Sequence, residues 1–214
     1  MPRQTRYKMK NGLLYIIFKF ILDNLKHLTI VEWFKIIAKK INPKKNNQDS
    51  NLAYSRTAVD IFIILKWSFV LLISKYSWTS SFLTFFVWYL LLTNIYSYFY
   101  YHIWTDEALN TDDFAKDRIR RRFINLLLAV GYSDLCFAYL YKIPYSSNFE
   151  WSDNSTTFLK SIWYSISNSL AANYEAVKPL TDFANTISMT QLVITFIFIT
   201  IILGKSIPQT TSTN

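Results

Sequence analysis

The chain has 214 residues, of which 51% are apolar and 18% aromatic, and its net charge is +9. Three glycines leave no glycine-rich phosphate-binding loop, and the single cysteine excludes an intrachain disulfide and a cysteine-based metal site. The two histidines have no metal-ligand spacing, so the sequence predicts no enzyme, no cofactor and no metal site. The positive charges cluster beside apolar segments, which favours anionic lipid headgroups over nucleic acid as their partner.

Residues 1–52 form a basic segment whose apolar stretches are too short to cross a bilayer. Its second half, residues 28–41, places apolar side chains at helical spacing, with Lys35, Lys39 and Lys40 largely on the opposite face. This pattern predicts one or two amphipathic helices on the cytoplasmic membrane surface, with these lysines at lipid headgroups or at a cytoplasmic protein partner. A polar linker is expected over 42–52.

Four later segments are long and apolar enough to be transmembrane helices, since a bilayer core about 30 Å thick needs about 20 such residues. They cover roughly residues 58–76, 81–101, 123–141 and 187–203. The first contains Lys66 and the third Asp134, and charges within a span usually face the protein interior. A Lys66–Asp134 pair is one arrangement that would satisfy both. The sequence therefore predicts an all-α integral membrane protein with four spans.

The basic residues also predict the topology. With four spans, the basic N-terminus, the 116–122 cluster and Lys205 all fall on one side of the membrane, which the positive-inside rule makes the cytoplasmic side. We therefore expect both termini in the cytoplasm, the 77–80 and 142–182 segments outside, and a bacterial inner membrane as the location. Four arginines of the cluster are expected to contact lipid headgroups or a partner: Arg118, Arg120, Arg121 and Arg122.

The segment between the third and fourth spans has the pattern of a re-entrant loop. Residues 158–168 are amphipathic and have the length of a short helix, and Pro179 ends an irregular stretch just before the last span. Irregular backbone at membrane depth is tolerated only where it is buried in protein or lines water. The serines of this helix, Ser167 among them, are expected to donate hydrogen bonds to the interrupted backbone.

With this layout, residues 123–203 resemble the two-helix pore module of the potassium-channel superfamily, which consists of a span, a pore loop and a span. Counting back from Pro179 places Tyr174 on the family's filter tyrosine, and Trp163 and Tyr164 on the aromatic pair of its pore helix. In place of the family's T-V-G-Y-G-D the chain has, in order, Ala171, Ala172, Asn173, Tyr174, Glu175 and Ala176. Both glycines and the threonine hydroxyl are missing, so the filter is degenerate.

The resemblance implies a homotetramer with the loop at its axis. Rings of Glu175 and Asn173 would then favour cations at the outer mouth, because carboxylate rings select for positive ions. Asn173 is expected to take the place of the first glycine, since Asn visits the left-handed region at modest cost. Without the potassium ladder, the expectation is a weakly selective pore for monovalent cations.

Two functions stay open for the whole chain, and the first is the cation pore described above. The second is a non-conducting membrane sensor or scaffold subunit that acts through a cytoplasmic partner, motivated by the lost glycines and by eleven basic residues within 1–45. Either role is compatible with a bacterial anti-phage defence system, although no motif points to one. The N-terminal helices would lie on the membrane surface or form a collar under the pore. The predicted divisions are 1–52, 53–122 with two spans and a basic connector, the pore-like module 123–204, and a disordered tail 205–214.

Overall fold

The structure, a computed structural model, describes residues 12–43, 48–105, 116–152 and 157–206. In chain order its helices are α1 (Leu13–Leu25), α2 (Ile30–Ile41), α3 (Gln48–Lys75), α4 (Ser81–Phe99), α5 (Lys116–Lys142), α6 (Phe158–Ser169) and α7 (Asp182–Ser206). Short 3₁₀ turns follow α1 (Lys26–Leu28) and α5 (Ser146–Asn148), and a π turn (Tyr100–Trp104) extends α4. Two three-residue strands, β1 (Phe149–Trp151) and β2 (Val177–Pro179), form an antiparallel ribbon.

Four of the described helices are long and apolar enough to cross a membrane, which confirms the prediction of an all-α membrane protein at this level. The four segments are Ser50–Lys75, Ser81–Phe99, Phe123–Lys142 and Asp182–Thr200.

The ends of these helices differ from the sequence boundaries. Helix α3, which contains the first span, begins at Gln48, so the predicted 42–52 linker is shorter than expected. The basic cluster and the third span form one continuous helix, α5. Helix α7 extends to Ser206, two residues into the predicted 205–214 tail, and the rest of that tail lies outside the described residues.

The chain divides into two compact units, Met1–Phe62 and Ile63–Asn214. In the first unit, α2 packs its apolar face on the first half of α3: Val31 is buried, and the Phe34 and Phe62 rings are 5.4 Å apart. The buried Asn42 ends α2 and donates to Asn51 Oδ1 at 2.8 Å, while it accepts from the Ser50 hydroxyl. By contrast, α1 buries none of its residues.

Helix α5 occupies the core of the second unit and contacts α4, α6 and α7. Its Phe137 ring is buried and lies edge-on to the Trp88 ring, 5.8 Å away. Gly131 allows the Trp67 ring of α3 to approach closely, because a β-carbon there would lie 3.3 Å from that ring. Large aromatic side chains therefore account for much of the packing between the spans.

Two of the segments that connect the spans, the 77–80 turn and the segment between α5 and α7, meet at one end of this unit, which we call the loop end. Tyr139 donates to the Trp78 carbonyl at 3.0 Å, and Trp88 Nε1 donates to the Tyr145 hydroxyl at 3.1 Å. The Tyr145 ring also packs against Phe183 at the start of α7, 5.0 Å away. The 77–80 turn and the segment after α5 are therefore at the same end, as the predicted topology requires.

Candidate functional site

The helix expected between the third and fourth spans is present as α6, and it begins at the loop end. Thr157 caps it by accepting a hydrogen bond from the Lys160 backbone, a favoured role for threonine. Lys160 Nζ donates to the Ser152 carbonyl at 2.8 Å, and Lys142, the last residue of α5, lies over the Phe158 ring. The first turn of α6 is therefore level with the end of the third span.

The other end of α6 is level with the middle of the neighbouring spans. The Ser165 hydroxyl donates to the Asp134 carbonyl at 2.8 Å, and Asp134 is within two residues of the midpoint of Phe123–Lys142. Gln191, the midpoint of Asp182–Thr200, donates from Nε2 to the Ser165 carbonyl at 2.9 Å. With 12 residues, α6 is about 18 Å long, roughly half the thickness of a bilayer core.

After α6 the chain turns back toward the loop end. The Ala172 amide donates to the Ser167 carbonyl at 2.7 Å and the Ala171 amide to the Asn168 carbonyl at 2.9 Å. With Ala171 at φ 53°, this is a Schellman cap. A turn follows, in which Val177 donates to the Tyr174 carbonyl at 3.2 Å. Strand β2 then pairs with β1, so the segment returns to the end from which it started.

The residues aligned with the filter lie on this return path. Ala171, Ala172, Asn173 and Glu175 are exposed and Tyr174 is half-buried. The left-handed residue is Ala171 and not Asn173, which corrects the sequence expectation. The reason is that α6 ends at Ser169 with Leu170 as its C-cap, which places residue 171 at the left-handed position of the cap. Only residues 172 and 173 lie between Ala171 and the turn that begins at Tyr174, too few for the six-residue filter of the resembled family.

The aromatic pair of α6 divides between two environments. Trp163 is 50% exposed, whereas Tyr164 is 7% exposed. The Tyr164 hydroxyl is 3.0 Å from Ser188 Oγ, and its ring is 4.9 Å from that of Tyr141. Ser167 is half-buried and contributes its carbonyl to the cap.

A buried amide that the sequence analysis did not single out connects α6 to both spans. Gln191 is fully buried, and its Nε2 donates to Asp134 Oδ1 at 3.0 Å and to Ser165 Oγ at 2.7 Å. Its Oε1 accepts from the Tyr141 hydroxyl at 2.7 Å and from Asn168 Nδ2 at 2.9 Å. We call these five residues the Gln191 cluster. A lone glutamine within an apolar run was the available signal, because polar groups in a span usually bind across helices.

The two intramembrane charges do not form the ion pair suggested above. Lys66 Nζ donates to Asn94 Oδ1 at 2.6 Å and lies 4.3 Å from the centroid of the Tyr132 ring, while Asp134 accepts from Gln191. Both charges face the protein interior, as expected. However, the two charges lie at different places. Lys66 faces the contact between α4 and α5, and it donates to the Asn94 amide oxygen. Asp134 faces the contact of α5 with α6 and α7, and it accepts from the Gln191 amide.

The basic residues expected at headgroups or at a partner lie in α2 and α5. Lys35 forms an ion pair with Glu32 at 2.7 Å, and Lys39 and Lys40 are exposed. Arg120 is exposed and Arg121 half-buried in the part of α5 farthest from the loop end, while the side chains of Arg118 and Arg122 are outside the described part of the chain. Their contact with lipid or with a partner stays a prediction.

Within the described residues, no group of three or more His, Cys, Asp or Glu side chains could hold a metal ion. Comparison with protein families, with curated proteins and with solved structures finds no match to the chain. The resemblance to the potassium-channel pore module therefore stays a prediction.

Proposed function

We propose that the chain is a subunit of a channel-like membrane protein whose residues 158–176 form a re-entrant pore loop. Four copies would enclose a pore with weak selectivity for monovalent cations. The observation that supports this most directly is the position of α6, which starts level with Lys142 and ends level with the middle of two helices that are long enough to span a membrane.

The tip of the loop, residues 170–172, is exposed, and this exposure indicates that water or a second copy lies beside it. Leu170 is 71% exposed, and Ala171 and Ala172 are exposed as well, at the end of α6 that is level with the span midpoints. Backbone that has left a helix cannot face hydrocarbon, because each unpaired polar group there costs several kcal/mol. A pore formed by several copies would supply the water that this backbone needs.

The polar groups on the return path favour cations. Glu175 is exposed on the turn that leads into β2, close to the loop end. In a tetramer it would form a ring of four carboxylates, which attracts cations and repels anions. Because residues 171–177 form a helix cap and a turn, they do not offer the continuous ladder of carbonyls that potassium selectivity uses. Discrimination between potassium and sodium is therefore expected to be weak.

Ion flux through liposomes that contain the purified chain tests this function. We expect potassium and sodium to pass at similar rates and chloride to pass more slowly, and Glu175→Gln to lower the ratio of cation to chloride flux. The matched control is Glu150→Gln, an exposed carboxylate on β1 whose charge is offset by Lys178 directly opposite on β2, so its effect should be smaller. Cation flux with an unchanged ratio in Glu175→Gln would remove Glu175 from the pore.

The alternative function, a non-conducting sensor or scaffold subunit, has one observation in its favour. The cap and the turn in residues 171–177 close the backbone on itself instead of leaving it extended toward an axis. The same liposomes discriminate the two functions. Absence of flux for all three ions, from a folded protein shown to be inserted in the bilayer, would favour the sensor or scaffold.

A further inference from the structure

Helix α1, in the first unit, leaves most of its apolar side chains exposed. It contains no buried residue. Nine of its 13 residues are large, apolar and 37–73% exposed: Leu13, Leu14, Tyr15, Ile16, Ile17, Phe18, Phe20, Ile21 and Leu25. A helix with so much uncovered apolar surface is not stable in water and needs an apolar environment around it.

This apolar surface surrounds α1 almost completely. Successive helical residues project about 100° apart, so the four consecutive side chains from Tyr15 to Phe18 cover the whole circumference. Lys19 is the only charged residue in the first ten positions, and Asp23 lies one turn later on the same side. A groove in a partner protein would cover one face of such a helix. Hydrocarbon would cover every face, with the long Lys19 side chain extending toward the headgroups.

The length of α1 limits how it can meet a membrane. Its 13 residues span about 20 Å, whereas a transmembrane helix must cross about 30 Å. The helix can therefore occupy one leaflet but cannot cross the bilayer. It ends in the 3₁₀ turn Lys26–Leu28, which leads directly into α2.

Helix α2 has the features of a helix at the bilayer interface. Its side chains Trp33, Ile37 and Ile41, spaced four residues apart, form an exposed apolar stripe next to the face that packs on α3. Exposed Lys40 lies beside this stripe, and exposed Lys39 lies on the opposite side of the helix. Tryptophan and lysine next to apolar residues are typical of helices that lie among anionic headgroups.

We infer that α1 is inserted into the hydrocarbon of one leaflet as a membrane anchor that does not cross, and that α2 lies at the headgroups of the same leaflet, where its lysines bind anionic lipid. Unlike the amphipathic surface helix predicted from sequence, α1 penetrates below the headgroups. This inference concerns the first unit alone and does not depend on the pore.

The test is the depth of single labels in the full chain, reconstituted in vesicles that contain anionic lipid. Cysteine replaces each of Tyr15, Ile16, Ile17 and Phe18 in turn, in a background with Cys136→Ala, and carries an environment-sensitive fluorophore. Quenching is compared between nitroxides on the acyl chains, nitroxides at the headgroups and iodide in the water. Lys39→Cys, on α2, is the matched control. Because Cys136 is buried, a second background with Cys136→Ser guards against a packing defect.

We expect all four α1 labels to lose more fluorescence to acyl-chain nitroxides than to headgroup nitroxides, and to be protected from iodide. The Lys39 label should show the reverse preference. Two results would overturn the inference. Iodide quenching of all four α1 labels would place the helix in water. Shielding of some of the four labels from both lipid quenchers and iodide would instead show that a protein surface, from a second copy or from another partner, covers that side.

Discussion

Two small residues, neither of them glycine, adopt the left-handed backbone conformation that glycine normally occupies. Ser77 has φ 51° after α3 and Ala171 has φ 53° after α6. In both cases the next residue donates back across the last turn: Trp78 to the Ile73 carbonyl at 3.0 Å, and Ala172 to the Ser167 carbonyl at 2.7 Å. A non-glycine residue in the left-handed region costs roughly 1–2 kcal/mol, so the surrounding contacts must impose these two caps.

Replacement of Ala171 by glycine should therefore stabilise the fold. Removal of the strained β-carbon is favourable, although part of the gain is lost to the greater freedom of glycine in the unfolded chain, which leaves about 0.5–1 kcal/mol. The midpoint of unfolding in mixed detergent measures this. The control is Ala172→Gly, one residue beyond the cap, where only the entropic loss applies. Equal destabilisation by the two substitutions would contradict the assigned cap.

At the level of the helices, the Gln191 cluster is what fixes α6 against the third and fourth spans. The amide of Gln191 binds Asp134 and Tyr141 of α5 as well as Ser165 and Asn168 of α6, and it comes from α7. In the proposed loop this end of α6 lies at membrane depth, where polar groups require such partners, and a bonded cluster also fixes one packing arrangement.

Substitution of Gln191 by leucine, which has a similar volume, should loosen α6. The change leaves the buried hydroxyl of Tyr141 without its acceptor, at a cost of about 1–3 kcal/mol, while Asn168 keeps its hydrogen bond to the Ser188 carbonyl. Hydrogen exchange of the α6 amides should accelerate accordingly, while exchange in α4 stays unchanged. The control, Met189→Leu, alters the exposed side of the same helix, where the methionine is 59% exposed. If α6 exchanges equally slowly in both variants, the cluster does not hold the helix.

The sequence predicted the helices better than the contacts among them. Apolar run length predicts the spans, and amphipathic spacing predicted α6 to within one residue of its observed Phe158–Ser169 limits. Gln191 could not be assigned partners in this way, because a polar residue in an apolar run looks the same whichever helix it faces. The ribbon of β1 and β2 was also missed, since three-residue strands are too short to show alternation. The cap at Ala171 carries no glycine to mark it.

For the whole second unit, the central claim is that the chain between α5 and α7 enters the membrane and leaves it on the same side. The ribbon of β1 and β2 brings the two ends of this segment together, and α6 lies between them with its tip level with Asp134 and Gln191. Four helices long enough to span a membrane and one half-length helix then account for all the described α-helices from Gln48 onward without an additional crossing.

The measurement that tests this claim most directly is the side of the membrane from which single cysteines react with an impermeant thiol reagent, in the Cys136→Ala background. The four positions are Glu150→Cys on β1, Ala172→Cys at the loop tip, Glu175→Cys on the return path and Arg120→Cys in the part of α5 farthest from the loop end. The cysteines at positions 150, 172 and 175 should all react from one side, and that at position 172 should react slowest because it is deepest. The cysteine at position 120 should react only from the other side. Two results would show that α6 crosses the membrane and would contradict the re-entrant loop. One is reaction of the cysteines at positions 150 and 175 from opposite sides, and the other is reaction of the cysteine at position 172 only from the side where that at position 120 reacts.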